Sequence, residues 1–390
     1  MRLSAKNCRD KLFALHQGHL LEFCDSDGLL LQVMALDEAL FLQQQKLIQQ
    51  KTSQDHVLSP PSPFTPIEKI SDSLKEFSKG SVGCLIVAGG QGTRLGFAGA
   101  KGLFPIGSTT LYKVLAERTL HASRKAHQFL PIAIMTSPDN HEETTTYFHK
   151  NDFFGLVPEQ VDFFMQTEIP FLDENGNLFL DQHGEIAQGP DGNGWALKNF
   201  YLSGIWNKWF QKGVRTLNLT LIDNVLADPF DPQLVNFHVE NDLDITVKGI
   251  LRDNPEEKVG IFATQKEHLS VVEYSEVPEK ERKSHSADGQ LEYPYANISL
   301  FSFKMEAIPT WDFDKMPWHL AHKPAKRYDL AAPLAWKYEK FIFDVLSYTS
   351  NVKGILYPRK SCFAPLKDKS DLPQVQAALQ LLSAAGNINL

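Results

Sequence analysis

From Gly83 onward the hydrophobic positions fall into short apolar runs separated by longer stretches of mixed polarity. Residues 85–87, 132–135, 161–165 and 217–222 read as strands, and residues 111–126 and 195–212 read as helices between them. Strand and helix in alternation predict βαβ units and a mainly parallel sheet, hence an α/β fold. Ahead of this region Leu20, Leu21, Leu29, Leu30, Leu31 and Met34 are spaced among polar residues, and Gln43-Gln44-Gln45-Lys46 and Gln49-Gln50-Lys51 form a polar helical face, so residues 1 to about 57 read as helices. Ser59-Pro60-Pro61-Ser62-Pro63 interrupts that pattern as a connector, and a short helix follows around 67–77. From residue 342 the chain reads as a helical segment, a strand at 354–357, a loop and a terminal helix. The expected division is an N-terminal helical segment (1–80), the main α/β domain (81–341) and a short C-terminal lobe (342–390). No internal repeat is evident.

The first apolar run enters a glycine-rich turn, Ala88-Gly89-Gly90-Gln91-Gly92-Thr93-Arg94-Leu95-Gly96, with Lys101-Gly102 beyond it. Glycines let a backbone approach a ligand closely, and consecutive N–H groups in such a turn cradle phosphate oxygens. Arg94 and Lys101 add fixed positive charge suited to a polyphosphate. A tight turn with two solvated cations is the plainer reading, but cations and glycines coincide after a strand. Ligands of open α/β sheets sit at the carboxyl ends of the strands, where this loop emerges. It is not a P-loop, because no lysine followed by Ser or Thr closes it. It is not a dinucleotide fingerprint either, because the gap from Gly92 to Gly96 is one residue too long.

Composition narrows the class. The 390 residues are 43% hydrophobic and 22% charged, as in ordinary globular proteins, with room for more than one lobe. A net charge of −8 argues against a dedicated nucleic-acid binder, so a basic site has to be local. Cys8, Cys24, Cys84 and Cys362 show no metal-like pairing and read as reduced thiols. No apolar run suits a membrane span, and the N-terminus lacks a secretory pattern. The expectation is a cytoplasmic enzyme without membrane or nucleic-acid partners; the sequence leaves its oligomeric state open.

The wording Ala-Gly-Gly-Gln-Gly-Thr-Arg-Leu-Gly followed by Lys-Gly resembles the eukaryotic-type UDP-sugar pyrophosphorylase family, and most closely its UDP-N-acetylglucosamine branch. The resemblance runs from about Val87 to Lys367 and marks a compact, divergent member. It implies a Rossmann-like nucleotidyltransferase fold, UTP and a sugar 1-phosphate as substrates, and Mg²⁺ as cofactor. Within the loop it implies that Val87, Ala88, Gly89 and Gly90 contact the nucleotide and that Arg94 and Lys101 are catalytic. Gln166 corresponds to a glutamine that reads the uracil edge, and Met135-Thr136-Ser137 also matches.

Further motifs follow in family order. Gly189-Pro190-Asp191-Gly192-Asn193-Gly194 alone is a turn before a helix; in the family Gly192 lies against the uracil and Asn193 contacts the sugar, where relatives specific for glucose carry His. Trp195 stands where the family usually has a small residue. Leu219-Thr220-Leu221-Ile222-Asp223-Asn224 is a strand ending in an acid, in the family the Mg²⁺ ligand, with Leu221 on the nucleotide. One carboxylate can serve Mg²⁺, which keeps waters and substrate phosphates as ligands. Val272-Glu273-Tyr274-Ser275-Glu276 and Asn297-Ile298 resemble segments lining the sugar pocket, with Glu273, Tyr274 and Asn297 as the contacts. Lys337-Tyr338-Glu339-Lys340-Phe341-Ile342-Phe343-Asp344 resembles a family helix whose lysine, here Lys337, binds the nucleotide, and Phe363-Ala364-Pro365-Leu366-Lys367 resembles a loop whose lysine, here Lys367, is catalytic. Cys362 and Asp368 stand where relatives commonly have Glu and Asn.

The activity implied is uridylyl transfer from UTP to N-acetylglucosamine 1-phosphate. Two other readings stay open: an enzyme for glucose 1-phosphate or for several sugars, and an inactive nucleotide-sugar-binding protein. Loss of Lys101, Asp223 or Lys367 would favour the last, and all three are present.

Overall fold

The computed structural model describes residues 5–23, 27–50, 57–325, 327–329 and 334–389. The chain forms two compact units. One combines the N-terminal helices with 167–193 and 317–341, and the other holds the remainder.

The larger unit is built on a 10-stranded sheet. Its strands are β1 (Thr65–Pro66), β2 (Val82–Val87), β3 (Ile132–Thr136), β4 (Val161–Met165), β5 (Thr216–Leu221), β6 (Ile245–Leu251), β7 (Ile261–Gln265), β8 (His268–Val272), β9 (Tyr295–Lys304) and β10 (Val352–Leu356). The order is β1-β10-β6-β9-β5-β2-β3-β4, with β7 paired to β8 and β9. Neighbours on the main path are parallel except β9, which runs against both β6 and β5. This is the expected α/β fold with a mainly parallel sheet.

The central strands are buried on both faces, so they read as continuous apolar runs. In β2 and β5 the first five residues are buried and only the last, Val87 and Leu221, is partly exposed. Val87 pairs with both Met135 and Leu221, so these strands end level at one edge. The reversed β9 starts there, with Tyr295 opposite Leu251. Gly83 is a glycine because Trp209 packs on β2: a Cβ there would lie 2.5 Å from the indole.

Helix Leu111–Ala126 forms as expected. Thr110 caps its start by accepting the Lys113 N–H, and Arg124 and Lys125 complement the dipole at its end. The helix expected over 195–212 is two, Ala196–Leu202 and Ile205–Gln211, because Gly204 takes a left-handed φ of 82° between them. The expected Lys337 helix is also corrected. Leu334–Glu339 is a strand paired antiparallel with His319–Pro324, and a 3-10 turn follows from Ile342.

The expected division at 1–80, 81–341 and 342–390 differs from the two units observed, because non-local pairing decides them. In the smaller unit Leu12, Leu29, Val33 and Phe41 of the N-terminal helices share one core with Ile169, Leu172, Leu180 and Tyr338. Gln44 Nε2 donates to Pro170 O (2.9 Å) and the Tyr338 hydroxyl to Gln44 O (3.1 Å). Residues 342–390 supply the sheet strand β10, and Val375, Leu379 and Leu382 of the terminal helix pack in the same core as Ile86. Cys8, Cys84 and Cys362 are buried free thiols, whereas Cys24 lies outside the described residues. Among the described residues no helix is long and apolar enough to cross a membrane.

One buried group makes stability depend on pH. His238, on helix Pro232–Glu240, is 2% exposed, and its Nδ1 lies 3.0 Å from Thr246 Oγ1 of β6. Burial, aided by Lys304 and opposed by Asp242, pushes its pKa down to about 3. Below its ordinary value of about 6.5 the unfolded chain takes up a proton that the folded chain refuses until about pH 3. We predict that His238 alone removes about 2 kcal/mol of stability between roughly pH 7.5 and pH 5. Urea unfolding at the two pH values should give His238→Gln a pH slope smaller by that amount; equal slopes would refute the prediction.

Candidate active site

The glycine loop leaves β2 at the level edge of the sheet. The Ala88 N–H donates to Met135 O (2.8 Å), and Asn140 Nδ2 donates to Ala88 O (3.2 Å). The loop is tied back on itself by Gly92 N–H to Gly99 O (2.9 Å) and Lys101 N–H to Gly90 O (3.0 Å). Glu143 accepts the Ala100 N–H (2.9 Å). Leu95 anchors a short 3-10 turn in the core and exposes Arg94, and Gly96 closes the turn with φ 66°. The Gln166 side chain, 7% exposed, lies against Gly89, where a Cβ would be 2.6 Å from Nε2. A Cβ on Gly90 would meet nothing within 4 Å, so the backbone there is open to a ligand.

Lys101 points at the next strand end. Its Nζ is 3.5 Å from Asp223 Oδ2, with 17% and 18% of the two side chains exposed. Gly102 holds it close, because a Cβ there would lie 2.2 Å from the Tyr112 ring. The segment after β5 grips the loop that carries Lys367. Leu366 N–H donates to Asp223 O (2.8 Å). Asn224 uses both ends of its amide: Oδ1 accepts Ala364 N–H (2.9 Å) and Nδ2 donates to Cys362 O (2.8 Å). From the other side Asp371 Oδ2 accepts the N–H groups of Lys367 (2.6 Å) and Asp368 (2.9 Å). Hydrogen bonds from Ser370 hold the Asp368 carboxyl below the usual range, and the Arg94 charge lowers it further. Lys369 Nζ lies 3.1 Å from the position of a Cβ on Gly96.

The start of β9 stands at the same edge. Asn297 N–H donates to Gly260 O (2.8 Å), and its side-chain Oδ1 accepts Ser299 N–H (3.0 Å). Glu273 Oε1 would lie 3.2 Å from a Cβ on Gly260, so Glu273 and Asn297 meet around that glycine. Tyr274, next to Glu273 in sequence, is 38% exposed. Ser299 has φ 54°, beside the register shift of β6 on β9.

The larger unit thus gathers Val87, Ala88, Gly89, Gly90, Arg94, Lys101, Gln166, Leu221, Asp223, Glu273, Asn297 and Lys367. Gly192, Asn193 and Lys337 belong to the smaller unit. There Gly192 has φ 88°, and a Cβ would lie 2.3 Å from Lys340 O, so only glycine fits. Lys340 N–H donates to Asp191 O (2.8 Å), and the Thr167 hydroxyl donates to the Asp191 carboxylate. Lys337 Nζ is 4.4 Å from the Phe171 ring centre, and burial, then Lys323, hold its ammonium below the usual lysine range.

Sequence reasoning missed Lys369 and the clamping roles of Asn224 and Asp371. Asp368 and Asp371 stand at capping-box spacing, which signals a turn start there. Asn224 and Lys369 carry no such signal, because their roles come from residues distant in the chain.

Comparison with known proteins gives the family and the fold. The family model described as UTP–glucose-1-phosphate uridylyltransferase matches residues 39–389. A Schizosaccharomyces pombe protein described as a probable UDP-N-acetylglucosamine pyrophosphorylase is 33% identical over 93% of this chain and 83% of its own length. The Saccharomyces cerevisiae UDP-N-acetylglucosamine pyrophosphorylase is 31% identical over 77% of this chain and 68% of its own. Other relatives are longer, and the chain spans less than two thirds of them. The crystal structure of the Trypanosoma brucei uridine diphosphate N-acetylglucosamine pyrophosphorylase with an inhibitor superposes with a TM-score of 0.83 at 25% identity, covering 97% of this chain and 84% of that one. With its family model matched from the N-terminal helices to the end of the terminal helix, the chain belongs to the UTP–glucose-1-phosphate uridylyltransferase family.

Proposed function

We propose that the chain makes UDP-N-acetylglucosamine and pyrophosphate from UTP and N-acetylglucosamine 1-phosphate. The observation that carries this reading is the meeting of Arg94, Lys101, Asp223 and the Lys367 loop where β2 and β5 end, beside an open glycine backbone. The names of the relatives support the sugar.

The phosphate of the sugar attacks the α-phosphorus of UTP in line. A new P–O bond forms as the bond to the β-phosphate oxygen breaks, and pyrophosphate leaves with that electron pair. The nucleophile is already an anion, so no general base is needed; catalysis is positioning and charge neutralisation. In this reading backbone N–H groups of Gly89 and Gly90 and the Arg94 and Lys101 cations hold the triphosphate, and Lys367 neutralises charge shared at the α-phosphoryl group. Gln166 against Gly89 suits recognition of a flat base edge by an amide. The resemblance assigns Gly192 and Lys337 to the nucleotide and Asn193, Glu273, Tyr274 and Asn297 to the sugar.

Mg²⁺ fits the donor set as a metal carried by the nucleotide. Among the described residues there is no group of three or more His, Cys, Asp or Glu to cage an ion, whereas Asp223 offers one carboxylate beside the proposed phosphate site. Bound there, the ion would supply charge neutralisation on the phosphates.

Three outcomes test the reading. Arg94 is exposed, so Arg94→Ala should lower kcat/KM at least about thirtyfold, or about 2 kcal/mol of transition-state stabilisation, with an unchanged melting temperature. Near-normal turnover with UTP would remove Arg94 from the site, and an equal loss of stability would make it structural. Activity should vanish with chelator and return with Mg²⁺, and Asp223→Asn should stay slow at Mg²⁺ levels that saturate the parent. Full activity in that variant would place the metal elsewhere. A pocket built for the N-acetyl group leaves polar groups unpaired with glucose, at about 1–3 kcal/mol each. N-acetylglucosamine 1-phosphate should therefore be used at least roughly tenfold better than glucose 1-phosphate. Asn193→Ala should narrow that ratio chiefly by slowing the amino sugar, and pyrophosphate release from a substrate panel decides it. A preference for glucose 1-phosphate would overturn the sugar assignment.

A further inference from the structure

Arg118, His121 and Lys125 lie at i, i+3 and i+7 of helix Leu111–Ala126, and so form one stripe. They line a cavity of about 440 Å³ in the larger unit, whose lining contains none of the candidate active-site residues. Phe77 and Phe230 give it an apolar wall, with ring centres 6.3 Å apart in an edge-on pair. Its carboxylates are Asp72 and Asp228.

The basic stripe is only partly satisfied. Arg118 is 9% exposed; it donates to Val225 O (3.2 Å) and pairs with Asp228 at 3.2 Å. His121 Nε2 is buried and bonds to no group among the described residues. An unpaired buried polar atom of this kind costs stability, and a turn of the half-buried ring would bring it to the cavity. Burial lowers the His121 pKa, Lys125, Arg118 and Arg124 lower it further, and Asp228 alone opposes them. The cavity lining sets Arg118 and Lys125 against Asp72 and Asp228, and Arg118 is already paired with Asp228.

We propose that this cavity is a second anion site that binds a small organic phosphate, its phosphate among Arg118, His121 and Lys125 and its apolar body against Phe77 and Phe230. A phosphate monoester presents terminal oxygens that a guanidinium, an imidazole and an ammonium can each meet with a charge-assisted bond. The site is coupled to the catalytic edge through Arg118. That side chain holds Val225 and Asp228, which follow Asp223 on the same segment, and a bound phosphate competes with Asp228 for it. The proposal does not rest on the activity inferred above.

The test uses the full chain and phenyl phosphate as probe, read by the imidazole nitrogen signals of His121, assigned with His121→Gln. We expect a saturable shift, with the His121 pKa raised on binding, and no shift with benzyl alcohol, which keeps the ring and lacks the phosphate. Lys125 is exposed, so Lys125→Glu should keep the fold while weakening binding about tenfold or more. Ala122→Trp, which fills the cavity from the same stripe, should abolish it, and Lys101→Ala at the glycine loop should leave it intact. An absence of saturable shift in the parent chain overturns the proposal. So does a shift that survives Lys125→Glu or disappears in Lys101→Ala, because the probe then binds at the nucleotide loop.

Discussion

The parallel pairing of β2 with β5 is the constraint on which the rest of the site depends. Val87 and Leu221 are register partners and the last residues of their strands. Parallel strands need long crossovers, so the two loops that leave them come from parts of the chain far apart in sequence. Equal strand ends bring those loops together, with Lys101 on one 3.5 Å from Asp223 on the other. A slip of one residue would turn every β5 side chain to the opposite face and carry Asp223 off the edge. The register is defended by packing, since Cys84, Ile86, Leu217 and Leu219 are all at most 1% exposed.

Around that edge the chain concentrates positive charge against its overall sign. Arg94 and Lys101 flank the glycine loop, and Lys369 packs on Gly96. The loop carrying Lys367 is held at Asp223, at Asn224 and at Asp371. Fixing these backbones before a ligand arrives spends conformational entropy in folding rather than in binding, which is how preorganised cations lower a barrier. Within the structure Asp223 offsets the Lys101 charge.

Legibility followed the range of the interactions. The Val161–Met165 strand and the Leu111–Ala126 helix were readable to the residue, because apolar runs, a threonine cap and basic residues in the last turn are local signals. The turn at residues 89–96 was legible for the same reason, since its conformation is set within one stretch. The break at Gly204 was missed because a lone glycine in a helical pattern can be tolerated or can take left-handed φ, and packing decides which. Lys337 was misread as helical because its strand exists only through pairing with His319–Pro324. The core that joins Phe41 to Tyr338 spans almost the whole chain, and no window of sequence contains it.

The positions where this chain departs from its relatives' usual residues are absorbed by packing and capping. Cys362 is 3% exposed, and burial pushes its thiol up to about 11, so it sits as a small inert side chain while its carbonyl serves Asn224. A glutamate there would bury a carboxylate near Lys248 and Asp231, which already pair with each other. Trp195 donates its indole N–H to Phe313 O (3.0 Å) and lies under Lys198, so its bulk is held by local contacts. Asp368 caps the turn that Asp371 closes, a role that asparagine also fills, but the aspartate adds a negative charge within electrostatic reach of Arg94. Of the three departures, only Asp368 changes the charge around the glycine loop. It does so on a backbone that Asp371 holds in place, so its effect there is on the charge that surrounds Arg94.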